Sequence, residues 1–171
     1  ANKQCLVNQR QVPYHTVSFA RALKAALRED PDVILVGEMR DTETMALAIS
    51  ASETGHLVFG TLSTMTATAT VDRIINAFPP GQQGQIRAMV SESLKAVISQ
   101  TLLPRRGGLG RIAAFEILRG TSAVGALIRE AKTFQIPTMI QSGADYGMVS
   151  LDQTLLGLLQ KGDITYDDAV M

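Results

Sequence analysis

Glu38 directly follows the apolar run Val33-Ile34-Leu35-Val36, so it emerges at the carboxyl end of a predicted strand, where open parallel sheets bind ligands. A carboxylate there can orient an attacking water or reach a metal-bound phosphate; the competing reading is a solvated acid paired with Arg40. Thr61, Ser63 and Thr64 end the next apolar run, Leu57 to Leu62, and stand beside Glu38 if the two strands are near neighbours. Their hydroxyls can bond a phosphate oxygen or position water, yet Ser63, Thr64 and Thr66 are also good N-cap types. His56 has no second histidine or cysteine close enough for a metal set, and His15 and Cys5 are equally isolated, so no metal site is expected. Arg105 and Arg106 sit in a glycine-rich loop that reads as solvated or anion-contacting.

These groups need positioning elements, and the pattern supplies them. Phe19, Leu23, Ala26 and Leu27 repeat at helical spacing until Pro31. Val33 to Val36 reads as a strand buried on both faces, central in a covered sheet. Asp41 or Thr42 caps a helix running to about Ser52, with Gly55 as its stop, and Leu57 to Leu62 completes a βαβ unit. Val71, Ile74, Ile75 and Phe78 mark one amphipathic helix, and Ile86, Met89, Val90, Leu94 and Val97 a second, separated by Pro79-Pro80-Gly81. Ile98 to Leu103 and Arg111 to Leu118 flank a turn-rich loop and read as adjacent strands. The last fifty residues read as helical, with stripes at Leu127-Ile128 and at Leu151, Leu155, Leu158 and Leu159.

With 16 Lys+Arg against 16 Asp+Glu, the net charge of zero argues against nucleic acid as principal partner. At 46% hydrophobic residues the 171-residue chain is long enough for a sizeable core. A single cysteine suits a reducing compartment, and no window is apolar enough to span a membrane. No G-x-x-x-x-G-K-[S/T] or G-x-G-x-x-G run occurs, so a nucleotide site within the chain is incomplete and the chain alone is not expected to hydrolyse ATP.

Leu27 to Thr44 (LREDPDVILVGEMRDTET), Thr54 to Leu62 (TGHLVFGTL), Ser91 to Leu94 and Val97 to Leu102 together resemble the secretion-type hexameric ATPases, in particular the pilus-retraction (PilT-type) branch that drives twitching motility. The resemblance implies an α/β fold. It is a partial RecA-like P-loop core with a mostly parallel sheet over residues 1–120, lacking the Walker A segment, followed by a helical tail over 121–171. It makes Val33 to Glu38 the Walker B strand, with Gly37 where an aspartate is usual, Glu38 as catalytic base or water-orienting group, and Arg40 and Asp41 as parts of the same signature. His56, Thr61 and Ser63 fall in the histidine-box region that senses nucleotide, and Ser63 replaces the second histidine, so slower hydrolysis or altered sensing is expected. Ala123 to Glu130 matches the retraction motif at its ends, including Leu127, Ile128, Arg129 and Glu130. Its altered middle places Gly125 in a helix at up to about 1 kcal/mol relative to Ala.

The resemblance further implies ATP and Mg2+ as ligands of an intact two-domain subunit, of which this chain is the C-terminal part. A homohexameric ring, an inner-membrane pilus platform protein as partner, and a cytoplasmic location peripheral to that membrane through the partner also follow from it. The alternative is a weakly active or inactive subunit that joins a catalytic ATPase paralogue. An assembly or type II secretion ATPase fits less well, because those relatives usually carry a cysteine-rich metal-binding insertion.

Overall fold

The structure is a computed structural model that describes residues 4–170. The start of the chain at Ala1 to Lys3 and the final Met171 lie outside those residues. The chain divides into two compact units, Ala1–Leu62 and Ser63–Met171.

The first unit holds helix α1 (Phe19–Ala26), strand β1 (Val33–Val36), helix α2 (Thr42–Glu53) and strand β2 (Leu57–Gly60). Ser18 starts α1 by accepting from the Arg21 amide, and Asp41 starts α2 by accepting from the Thr44 amide, which resolves the capping choice in favour of Asp41. Gly55 at φ +103° ends α2 and turns the chain into β2. The strands pair in parallel from Val33 opposite Leu57 to Val36 opposite Gly60, with α2 as the crossover. One face of this pair carries Ile34, Val36 and Val58 into a core with Leu23, Leu27, Leu47, Ala48 and Ala51.

The other face carries no covering element among the described residues. Val33 is 56% exposed, Leu35 74%, Leu57 44% and Phe59 52%, so the described residues cover β1 on one face and leave its other apolar face open. A continuous apolar run reports what a strand can bury, whereas burial needs an element on each side, and both helices of this unit join the core on the Ile34 side.

The second unit contains α3 (Ala67–Asn76), α4 (Pro80–Ser93), β3 (Ala96–Pro104), β4 (Arg111–Arg119), α5 (Ser122–Arg129), α6 (Ile136–Ser142), α7 (Leu151–Gln160) and α8 (Tyr166–Ala169), with 3₁₀ turns at Thr133–Gln135 and Ala144–Tyr146. Thr66 caps α3, and Pro80 opens α4 at a position that needs no amide donor. The α4 helix stops at Ser93, and Leu94 turns to extended backbone. Val97, counted above in the helical stripe, therefore belongs to β3. The two strands form an antiparallel hairpin from Ala96 opposite Arg119 to Pro104 opposite Arg111. The α/β expectation thus holds, with the parallel pair β1–β2 in the first unit and the antiparallel pair β3–β4 as a separate two-stranded sheet in the second. Leu103, Ala114 and Ile164 pack with Ile112, Leu151, Leu155, Leu158 and Leu159, which joins the hairpin to α7.

Candidate active site

The parallel pairing of β1 and β2 brings the carboxyl ends of both strands to one edge. Past the last strand residues the two chains remain tied: the Met39 amide donates to the Thr61 carbonyl at 3.0 Å, and the Thr61 hydroxyl donates to the Gly37 carbonyl. Gly37, Glu38, Met39 and Thr61 are therefore held as one clamped edge. The Met39 side chain lies over Gly60, where an added Cβ would come within 2.7 Å of its sulfur. Gly37 meets no such obstacle, and nothing within 4 Å would oppose a Cβ there.

Glu38 is half-buried at this edge and pairs with the Arg40 guanidinium at 2.5 Å. The hydrogen bond to Glu38 and then its negative charge hold the Arg40 pKa above the ordinary arginine value. Asp41 is turned inward to the next element: its Oδ1 accepts from the Thr44 amide at 2.7 Å and its Oδ2 from the buried Thr44 hydroxyl at 2.8 Å. The amide bond is the main reason that the Asp41 carboxyl lies below the usual carboxylate range, against a smaller opposing effect of burial.

His56 is not brought to this edge. It precedes β2, and a four-residue parallel strand puts it roughly 13 Å along the sheet from the end where Thr61 emerges. Its Nδ1 bonds the Ala51 carbonyl at 3.0 Å and lies 3.2 Å from the Thr54 hydroxyl, so the ring fastens the C-terminal end of α2. Ser63 is exposed and begins the second unit.

The remaining residues singled out above also have local partners. In α5, Ile128 is fully buried and Leu127 half-buried, while the Arg129 Nε donates to the Ser91 hydroxyl at 3.4 Å. Glu130 pairs with Lys132 at 2.8 Å, which lowers its pKa. Gly125 lies where α5 crosses α4, and a Cβ there would stand 2.6 Å from the Ser91 carbonyl oxygen. The helix thus gains a close crossing from the residue that was expected only to weaken it. Arg105 lies 3.8 Å from Asp163, whose carbonyl accepts from the Arg106 amide at 2.8 Å. Sequence reasoning missed Met39, Thr44 and the Thr61–Gly37 bond, since each depends on two segments meeting.

Among the described residues no group of three or more His, Cys, Asp and Glu side chains could hold a metal ion, and no helix is long and apolar enough to cross a membrane. The edge offers one carboxylate flanked by a guanidinium and a fixed threonine, which suits orienting a water against an incoming phosphoryl group.

Comparison with known proteins gives the same direction. The chain is 55% identical to the type IV pilus retraction ATPase PilT of Pseudomonas aeruginosa, over 98% of this chain and 48% of that protein. It is 41% identical to the type IV pilus ATPase PilU of the same organism, over 97% of this chain and 44% of that one. A crystal structure of the pilus retraction motor PilT with bound ADP superimposes with a TM-score of 0.87 at 52% identity, covering 96% of this chain and 46% of that chain. The ATPase DotB of Legionella pneumophila superimposes with a TM-score of 0.85 at 26% identity, over 96% and 44% respectively. The chain spans about half the length of the relatives it matches. With the Type II/IV secretion system protein model matching residues 3–108, the chain belongs to that family.

Proposed function

We propose that the intact protein carrying this chain is a motor ATPase that hydrolyses ATP to power pilus retraction. The observation that carries the reading is Glu38, set at the shared carboxyl end of the parallel pair on an edge clamped by the Thr61–Gly37 and Met39–Thr61 bonds. Glu38 acts there as the base or orienting acceptor for the attacking water, and Arg40 holds its carboxylate in place before substrate arrives. The Thr61 hydroxyl donates a hydrogen bond to the Gly37 carbonyl, so its part is to keep the edge rigid, with its lone pairs left to accept from water. Ser63 occupies the position of a phosphate-sensing histidine; a serine is shorter and cannot be cationic, which makes turnover slow.

ATP enters with Mg2+; because the described residues form no metal-holding cluster, no residue is assigned to the ion. A ring of six such subunits, seated at the inner membrane through a pilus platform protein, turns hydrolysis into domain movement. Residues 121–171, with Leu127 to Glu130 among them, form the helical part that passes this movement on.

The test is phosphate release by the intact protein at saturating Mg-ATP. Glu38→Gln is expected to lower kcat at least 100-fold with ATP binding retained, and Ser63→His to raise it. If the parent is silent and stays silent with histidine at 63, the protein is instead an accessory subunit of a catalytic paralogue.

A further inference from the structure

Charge is unevenly spread along this neutral chain. Residues 4–28 carry Arg10, Arg21, Lys24 and Arg28 and no carboxylate at all. Part of that charge surrounds a depression of about 400 Å³ in the first unit, lined by Arg10, His15, Thr16, Val17, Arg21, Ala22 and Ala25. The depression is shallow and open to solvent, with Arg10, His15, Val17, Arg21 and Ala25 exposed around it.

The polar groups around it are arranged as donors. Arg10 is anchored through Nη2 by Glu29, which leaves its Nε and second amino group for another acceptor. The Gln11 amide donates to the His15 Nδ1 at 3.2 Å, so the neutral ring carries its proton on Nε2 and is a donor there. The Arg21 guanidinium has no hydrogen-bond or ion-pair partner among the described residues. It sits on α1 one turn before Ala25. Val17, Ala22 and Ala25 add apolar surface to the lining.

We propose that this depression binds a phosphorylated small molecule, distinct from the substrate at Glu38, with the phosphoryl oxygens on Arg21, Arg10 and His15 and the organic body over Val17, Ala22 and Ala25. Forked guanidinium donors match phosphoryl oxygens in geometry as well as charge, and Glu29 fixes one of the two forks before the ligand arrives.

Calorimetric titration of the intact protein with inorganic pyrophosphate, its nucleotide site first saturated with ADP, tests the assignment. One pyrophosphate per chain is expected, with Kd raised about tenfold or more by Arg21→Gln, raised by a smaller factor by Arg21→Lys, and unchanged by Glu38→Gln. No binding, an unchanged Kd in Arg21→Gln, or citrate binding as tightly as pyrophosphate would overturn it, leaving only a solvated basic face. Because Arg21 is exposed, the variant retains its fold, and far-ultraviolet circular dichroism verifies this.

Discussion

Asp41 shows how much one carboxylate can hold. It caps α2 through the Thr44 amide and also satisfies the buried Thr44 hydroxyl. Asp41→Ala is therefore expected to cost about 1–2 kcal/mol, read as a lowered urea midpoint, whereas Asp41→Asn keeps most of the cap. The pH dependence follows from the depressed folded-state pKa. The ionised cap contributes fully above the ordinary aspartate value of about 3.9 and is lost as pH falls through the lower folded value. The gap in midpoint between parent and Asp41→Ala should accordingly be largest at neutral pH and shrink on acidification below about pH 4; a gap that widened in acid would contradict the assignment.

Between elements, the α4–α5 crossing sets a sign that propensity alone gets wrong. Ala exceeds Gly in helix preference by about 1 kcal/mol, yet Gly125→Ala is expected to lower the melting temperature, because its Cβ meets a backbone carbonyl that cannot rotate away. A raised melting temperature would mean that the helices can part at no cost. At this scale the sequence was readable where periodicity and punctuation agreed: α1, α2 and α3, the hairpin around residues 105–110, and the strand that delivers Glu38. It was unreadable where the outcome depends on a neighbour. The same Val-Ile-Leu-Val run serves a strand covered on one side or on two, and Val97 fits a helical stripe until Leu94 turns extended. His56 lies near Thr61 in sequence, but the rise of an extended strand separates them. The Thr61–Gly37 bond spans 24 positions, and no local pattern announces it.

For the molecule as a whole, Val33, Leu35, Leu57 and Phe59 form an exposed apolar stripe on the paired strands of the first unit. The 171-residue chain on its own is expected to enhance the fluorescence of a hydrophobic dye such as ANS, and Leu35→Lys with Phe59→Lys to reduce that signal without unfolding it. A chain that fails to bind the dye would show this stripe to be covered in solution. The two strand pairings also differ in what the unfolded chain must surrender to begin them. The hairpin closes across six residues, 105 to 110, three of them glycines at positive φ, while the parallel pair closes across twenty, 37 to 56. By loop length alone, the second closure costs about 1 kcal/mol more chain entropy than the first, so the antiparallel ribbon is the natural seed from which pairing in this chain starts.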